Sequence, residues 1–319
     1  MRRGRRAVHT ADMNASSTGT LAALSDAIAG VVATVGTSVA YVDGHPRRDA
    51  SGFAWDTHHI VTVDHAIVRE DDIDVLLADG VRARASLVAR DESTDLALLR
   101  TDASLTPIAR ANPDALGVGH IVLALGRDED GAPGASLGVV SSLDGGWRTR
   151  RGGDVDRFIR PDLNVYPSFS GGPLVDAHGG VIGMNTWGLS RRTALTLPMT
   201  TIDRVVAQLL GTGRVARGYL GVALQTVRLP ETMRASLGLE RGTGAIVVDV
   251  ASGGPADDAG VTLGDVMLAL GSQAVEDAED LQRALGSASV GTTQTLHVVR
   301  GGSAREIAVK VGERPHDDA

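Results

Sequence analysis

The feature that most constrains the fold is a succession of short apolar, β-branched runs between residues 38 and 197, separated by glycine, aspartate and proline. Many short runs at regular spacing with glycine turns are typical of antiparallel barrels and sandwiches. The runs interpreted as strands are residues 38–42, 51–55, 59–63, 74–77, 83–89, 96–100, 120–125, 136–142, 158–159, 174–175, 181–186 and 194–197. We therefore expect a mainly β domain over this part of the chain.

The apolar period changes near residue 200 and predicts a helix. One helical face would contain Ile202, Val205, Val206, Leu209 and Leu210, which recur at the spacing of an α-helix. The glycine-rich segment after them reads as a linker, so we place a domain boundary between residues 212 and 213. The first domain would span residues 21–212. The second, residues 213–312, mixes short strands with helical pieces at 255–259 and 277–288, and a polar tail follows at 313–319.

Composition excludes several classes of function. The 319 residues have a formal net charge of −8 and no long basic stripe, which gives no support to nucleic-acid binding. Cysteine is absent, so disulfides, thiolate zinc sites and cysteine catalysis are excluded. The remaining glycine-rich runs lack the following helix and the lysine–hydroxyl pair of a phosphate-binding loop. We expect no metal and no cofactor.

The N-terminus has the basic start of a signal sequence, Met-Arg-Arg-Gly-Arg-Arg, but no apolar segment follows it directly. Residues 21–42 are apolar but interrupted by polar side chains, which makes them a poor membrane span. A short helix is expected at 21–33. We predict a disordered basic arm over residues 1–20, no membrane span and a cytoplasmic location. The alternative is a periplasmic or secreted protein whose native N-terminus the sequence lacks.

A candidate nucleophile, Ser170, lies in an unusual loop. Gly171 and Gly172 follow it directly, and Pro167 and Pro173 flank the segment. Glycine permits positive φ and close approach, whereas proline fixes φ and removes a donor. Such a loop can direct a hydroxyl and several backbone N–H groups into one small volume, as acyl transfer requires. The alternative is a turn in which the serine only caps its own backbone.

Two further polar residues border apolar runs, His65 directly after one and Asp95 directly before another. Either alone could be an ordinary surface group or a cap. Together with Ser170 they supply the three groups of a nucleophilic triad, because the serine needs a base and the base needs an orienting carboxylate. Their order along the chain, histidine, aspartate, serine, is the order of the chymotrypsin type.

These three segments resemble the motifs of the HtrA (Deg) family of trypsin-like serine proteases. The segments around His65, Asp95 and Ser170 are similar to its histidine, Asp-Leu-Ala-Leu and Gly-Asn-Ser-Gly-Gly-Pro-Leu motifs, and residues 181–186 and 194–198 are similar to later family strands. The resemblance covers roughly residues 21–312. It implies two antiparallel β-barrels with the site between them. It also implies Ser170 as nucleophile, His65 as general base and then acid, and Asp95 as orienting carboxylate, with the N–H groups of Ser168 and Ser170 as the oxyanion hole.

The chain departs from the family directly before the serine, where Ser168 and Phe169 replace the usual Gly-Asn. If the oxyanion-hole peptide must pass through positive φ, serine costs about 1–2 kcal/mol more than glycine. We expect a bias between active and inactive loop states. The sequence offers no account of Phe169. For the P1 pocket, Asn164 and Leu195 are the candidates. The lack of a carboxylate at Asn164 argues against cleavage after lysine or arginine, and the family resemblance implies small aliphatic P1 residues.

The C-terminal part resembles the PDZ domains attached to this family, through residues 217–222, 253–261 and 263–268. The resemblance implies a loop that captures a terminal carboxylate and a strand that pairs with the bound peptide. The candidate peptide-binding residues are Tyr219, Leu220, Gly221, Val222, Leu224, Leu281 and Leu285. The two leucines on the predicted helix could equally be core.

The resemblance implies an ATP-independent serine endopeptidase of protein quality control. It would cleave unfolded or damaged polypeptides, bind exposed C-termini and assemble as a homotrimer. The alternative is a chaperone or binding protein with a silent triad, which only the Ser168-Phe169 departure supports. A purely structural PDZ scaffold would leave the first 200 residues unexplained.

Overall fold

The computed structural model describes residues 11–190, 192–239, 242–286 and 289–314. The chain divides into two compact units, Met1–Arg214 and Val215–Ala319. The predicted mainly β class is confirmed, because the first unit contains two closed antiparallel barrels and the second an antiparallel sheet with short helices.

The N-terminal helix is longer than the sequence suggested. Helix α1 spans Ala11–Gly36, so it begins inside the segment predicted as a disordered arm; residues 1–10 lie outside the described residues. Its last 18 residues, Gly19–Gly36, have a mean hydropathy of 1.5 and are by length and composition apolar enough to cross a membrane, so the predicted absence of a membrane span is not confirmed. Isolated Ser and Thr residues do not stop a helix when no proline or long polar run interrupts the alanine-rich segment.

The first barrel is formed by six strands that close in the order β1-β2-β3-β6-β5-β4. Their side chains alternate between the interior, which contains Ile60, Ile73 and Leu99, and the outer surface. The strands are β1 (Val39–Asp43), β2 (Ala50–Ala54), β3 (His59–Val63), β4 (Ile73–Leu76), β5 (Arg82–Asp91) and β6 (Leu96–Thr101).

The second barrel closes in the order β11-β14-β13-β12-β7-β8. A small hairpin, β9 (Trp147–Arg148) with β10 (Asp154–Val155), projects between β8 and β11. The barrel strands are β7 (Ile121–Arg127), β8 (Pro133–Asp144), β11 (Phe158–Asp162), β12 (Pro173–Asp176), β13 (Val181–Thr186) and β14 (Leu195–Pro198). The predicted helix follows as α2, Met199–Thr212, and ends at Gly213, whose φ of 75° suits a glycine cap.

The second unit is a sheet in the order β16-β17-β18-β20-β21, with small additional strands. Its helices are α3 (Glu231–Leu237), which the sequence analysis missed, α4 (Pro255–Asp258) and α5 (Ala278–Ala284). Asp277 caps α5 by accepting from the N–H of Asp280, and the helix is shorter than predicted. The strands are β15 (Gly218–Tyr219), β16 (Val222–Arg228), β17 (Thr243–Val250), β18 (Val266–Leu270), β19 (Gln273–Ala274), β20 (Thr293–Arg300), β21 (Ser303–Lys310) and β22 (Gly312–Glu313).

Candidate active site

His65 and Asp95 are brought together by the pairing of two strands. Strands β3 and β6 are antiparallel with Val63 opposite Leu96, so the residues just beyond these ends meet at one rim of the first barrel. His65 lies in a short 3-10 turn, Asp64–Ala66, that follows β3. Its Nδ1 is 2.9 and 2.8 Å from the two carboxylate oxygens of Asp95, and its backbone N–H donates to Asp95 Oδ1 at 3.0 Å.

Asp95 is held tightly. Its φ is 58°, a left-handed conformation that is uncommon outside glycine and has a free-energy cost. Its side chain is only 6% exposed, against 25% for His65. The Thr186 hydroxyl at the end of β13 donates to Asp95 Oδ2. A carboxylate in this position fixes the tautomer of the imidazole and stabilises its protonated form.

Gly188 makes room for that carboxylate. A Cβ at Gly188 would lie 2.8 Å from Asp95 Oδ1 and closer still to the rest of the carboxylate. The Gly188 N–H also donates to the Thr186 hydroxyl at 2.8 Å, which orients the hydroxyl toward Asp95. The second barrel therefore supplies both the donor and the space for a carboxylate that belongs to the first.

Ser170 ends a 3-10 turn, Pro167–Phe169, between β11 and β12. It is attached to the first barrel, because its carbonyl accepts from the N–H of Ser51 at 2.9 Å. Gly171, at φ 87°, abuts the side chain of Thr62 on β3, the strand that leads to His65; a Cβ there would lie 2.7 Å from the hydroxyl. The Ser170 hydroxyl is buried and makes no hydrogen bond with the described residues.

The Ser170 N–H, one of the two predicted oxyanion donors, is already engaged. It donates to the carbonyl of Pro167 at 3.2 Å, and the Phe169 N–H donates to the carbonyl of Tyr166 at 2.9 Å. The carbonyl of Ser168, the other predicted donor residue, accepts from the Ser51 hydroxyl at 2.6 Å. An oxyanion at Ser170 could use its N–H only after the Pro167–Ser168 peptide reorients.

A second carboxylate lies beside the histidine, and the sequence analysis did not single it out. Asp64 is buried, and this burial raises the pKa of its carboxyl to about 6, with Asp95 and Glu92 also raising it and Arg90 opposing. Arg90 Nη1 is 3.5 Å from Asp64 Oδ1 and donates to the carbonyl of Ile67 at 3.1 Å. Asp64 and Arg90 therefore stabilise the turn that contains His65.

The two candidate P1 residues occupy different environments. Asn164 is exposed on the loop after β11, whereas Leu195 is buried on β14 directly opposite Thr186. Trp187, which is partly exposed, donates its indole N–H to the carbonyl of Val165 at 3.1 Å and so joins the Ser170 loop to the end of β13.

The second unit presents an open sheet edge where the sequence predicted peptide binding. Strand β16 pairs with β17 on one side, and no described strand pairs with its other side. Gly221, at φ 79°, bends the chain from Tyr219 and Leu220 into this strand. Val222 and Leu224 are half-buried against the core, and Leu281 and Leu285 on and after α5 are buried within it.

No group of three or more His, Asp or Glu residues that could hold a metal ion occurs in the described part of the chain. Two closed six-stranded antiparallel β-barrels are the fold of the chymotrypsin-like class of serine peptidases, and His65 and Asp95 are in contact on the first of them.

Comparison with known proteins gives the family. The trypsin-like peptidase domain family matches residues 50–184 and the PDZ domain family matches residues 218–311. A protein of Pseudomonas fulva named "Probable periplasmic serine endoprotease DegP-like" is 34% identical over 266 residues, which cover 82% of this chain and 54% of that protein. One of the same name from Brucella suis is 35% identical over 285 residues, 86% of this chain and 55% of that protein. The chain thus spans about half the length of these relatives.

Comparison with solved structures points to the same family. The HtrA-type protease AlgW with decapeptide has a TM-score of 0.73 at 27% identity, covering 90% of this chain and 99% of that one. The serine endoprotease from Yersinia pestis has a TM-score of 0.71 at 26% identity, covering 89% and 97%. The chain belongs to the HtrA family of trypsin-like serine endoproteases with a PDZ domain.

The predicted cytoplasmic location is wrong. The relatives are named periplasmic, and the apolar helix segment Gly19–Gly36 near the N-terminus fits a signal sequence by length and composition. This apolar segment begins further along the chain than the basic residues, and its isolated polar side chains are the reason why residues 21–42 are predicted to be a poor membrane span. Both findings point to the periplasm.

Proposed function

We propose that this chain is an ATP-independent serine endopeptidase of protein quality control that cleaves unfolded or damaged polypeptides. The observation that supports it best is the contact of His65 Nδ1 with both oxygens of a buried, further hydrogen-bonded Asp95. This leaves Nε2 of the imidazole to act on a nucleophile.

In the proposed mechanism, His65 takes the proton of the Ser170 hydroxyl as that oxygen attacks the scissile carbonyl. Asp95 stabilises the imidazolium without itself being protonated. The N–H groups of Ser168 and Ser170 stabilise the oxyanion once the Pro167–Ser168 peptide has reoriented. His65 then protonates the leaving amine, and water hydrolyses the acyl-enzyme by the reverse sequence of proton transfers. Asn164 and Leu195 are proposed to favour small aliphatic P1 residues.

The experiment that tests the proposal is casein hydrolysis by the wild type beside Ser170→Ala, at several temperatures, with fluorophosphonate labelling of both. Turnover and single-site labelling at Ser170 that are lost in the variant would support the endopeptidase. No turnover and no labelling in the wild type would contradict it.

A second candidate is a chaperone or binding protein with a silent site. The observation in its favour is the donation of the Ser170 N–H to the carbonyl of Pro167, which removes an oxyanion donor. Suppression of client aggregation by wild type and Ser170→Ala alike, without hydrolysis at any temperature, would support it.

We further propose that the second unit binds exposed C-termini of proteins. A peptide added to the free edge of β16 would gain main-chain hydrogen bonds, with its carboxylate at residues 219–221. Fluorescence anisotropy with one peptide in free-acid and C-terminally amidated forms tests this, and equal affinities would contradict it. Leu224→Glu should weaken binding, whereas Val248→Glu, at an exposed apolar position of β17, is the matched control.

The homotrimer also remains a proposal, and it rests on the family resemblance alone. Static light scattering of the full chain at working concentration tests it, and a monomer there would count against it.

A further inference from the structure

Phe169, for which the sequence offered no account, fills a recess in the second barrel. Gly126 on β7 and Gly134 on β8 are paired directly across the two strands, so neither contributes a side chain at that point. The Phe169 ring occupies the space: a Cβ on Gly134 would lie 2.7 Å from Cε1 and 2.8 Å from Cζ, and one on Gly126 would overlap Cδ1. Phe169 as a whole residue is 5% exposed. We call Gly126 and Gly134 the glycine recess.

The Phe169 ring also contacts a second aromatic ring. Tyr166, at the start of the same loop, contacts it edge to face with centroids 5.2 Å apart and an interplanar angle of 77°. An aromatic ring over a cross-strand glycine pair buries apolar surface that the strands themselves cannot cover. Phe169 therefore contacts both the barrel wall and its own loop.

The backbone around Phe169 is anchored residue by residue. The carbonyl of Ser168 accepts from the Ser51 hydroxyl, that of Phe169 from the Gly172 N–H at 2.9 Å, and that of Ser170 from the Ser51 N–H. The carbonyl of Pro167 instead accepts from the Ser170 N–H. The reorientation that frees this N–H can thus be confined to the Pro167–Ser168 peptide.

We propose that Phe169 is a positioning residue for Ser170, and that it acts by inserting into the glycine recess. This inference rests on the proposed function. The anchored ring fixes the residue directly before the nucleophile, so that the Ser170 hydroxyl keeps its position while the neighbouring peptide turns. Without the ring, only hydrogen bonds would hold the segment around Ser170 in place.

The test compares Phe169→Ala, Gly126→Ala and the double variant, with Gly145→Ala as control, because a Cβ at Gly145 meets nothing within 4 Å. Each single variant should lower the rate of fluorophosphonate labelling of Ser170 by about 10- to 100-fold, since small misplacements of reacting groups have effects of this size. Peptide turnover should lose kcat with KM little changed. The double variant should be no slower than the slower single variant, because ring and methyl compete for one space.

All rates are measured well below the melting temperature of each variant, so that loss of folded protein is counted separately. Labelling of both single variants at the wild-type rate would overturn the proposal. So would a double variant whose loss is the product of the two single losses, since the two residues would then act independently.

If the wild type itself is not labelled, the proposed function fails but the positioning of the loop is still testable. Hydrogen exchange of a peptide covering residues 163–175 reports the loop without any activity. Faster exchange in Phe169→Ala and Gly126→Ala than in Gly145→Ala would support the anchoring, and identical exchange would overturn it.

Discussion

The hydroxyl of Thr186, on the second barrel, donates a hydrogen bond to the carboxylate of Asp95, on the first. The imidazole of His65 depends on that carboxylate for its orientation. The contact therefore makes the position of the proposed general base on the first barrel depend on a residue of the second.

Replacing Thr186 by valine keeps the shape and removes the donor. Hydrogen bonds to charged groups contribute more than neutral ones, so we expect kcat to fall about tenfold, equivalent to about 1.4 kcal/mol, with KM unchanged. Steady-state kinetics on a peptide substrate measure this. Thr196→Val is the control, because that buried hydroxyl donates to Asn185 and not to the triad. Equal losses in both variants would contradict a specific role.

Gly188→Ala should displace the Asp95 carboxylate, because the added methyl would occupy its place. We expect a loss of labelling at Ser170 larger than that of Thr186→Val, since overlap moves the group rather than removing one donor. Gly211→Ala, where a Cβ meets nothing within 4 Å, is the control for the substitution itself. Unchanged labelling in Gly188→Ala would show that the carboxylate can lie elsewhere.

Asp64 predicts a pH-dependent stability. Burial raises the pKa of its carboxyl to about 6, above the unfolded value of about 3.9, so the folded protein binds the extra proton between these values. Stability from this group falls as the pH rises through that window. Asp64→Asn should therefore be more stable than the wild type at pH 7 by about 1–2 kcal/mol, and the difference should shrink below about pH 4.

Urea unfolding as a function of pH measures the Asp64 effect. Asp162→Asn, an exposed carboxylate on β11, is the control and should show no such difference. A variant that is less stable than the wild type at pH 7 would mean that the Arg90 contact outweighs the burial.

In the second unit, Arg300 neutralises the buried Asp265 through two bonds of 2.7 and 2.6 Å. Burial alone would raise the pKa of Asp265, but the hydrogen bonds from Arg300 and the Thr262 N–H hold it below its usual value. The stability that the ionised Asp265 contributes is present above the pKa of this carboxyl in the unfolded chain. It is lost as the pH falls through the pKa of Asp265 in the folded protein. Arg300→Met should lower the free energy of unfolding of the second unit by about 3 kcal/mol, because it leaves the buried Asp265 carboxylate without its cation.

Hydrogen exchange, measured peptide by peptide in the full chain, tests this prediction. The loss of protection in Arg300→Met should be confined to peptides from residues 215–314. Arg305→Met, at an exposed position on β21, is the control. Destabilisation of the barrels instead would contradict the assignment.

The fold class and the residues of the proposed triad followed from local signals. Strand patterning is a property of neighbouring residues, and His65, Asp95 and Ser170 each lie in a short motif that can be read without knowing the fold. Isolated Ser, Thr and Asp residues predict an interrupted apolar segment, whereas the structure has one continuous helix, α1, over Ala11–Gly36. The predicted helix length and the predicted location are both wrong for this reason.

The supporting residues could not be predicted in this way. Thr186 reads as one more residue of a buried strand, and its donation to Asp95 depends on how two barrels meet. Phe169 contacts glycines more than 30 residues away in sequence, and a missing side chain gives no apolar pattern to detect. Asp64 is adjacent to His65, but only its burial distinguishes it from a surface carboxylate.

Ser51 donates both its N–H and its hydroxyl to the Ser170 loop, while Thr186 donates in the opposite direction, to the carboxylate beside His65. Each barrel thus supplies hydrogen bonds to the candidate site residue that the other barrel contains. A slight parting of the barrels would break both sets of bonds while leaving each barrel folded. Proteolytic activity should accordingly be lost at urea concentrations below those that unfold either barrel. The urea dependence of activity would then report the contact between the two barrels.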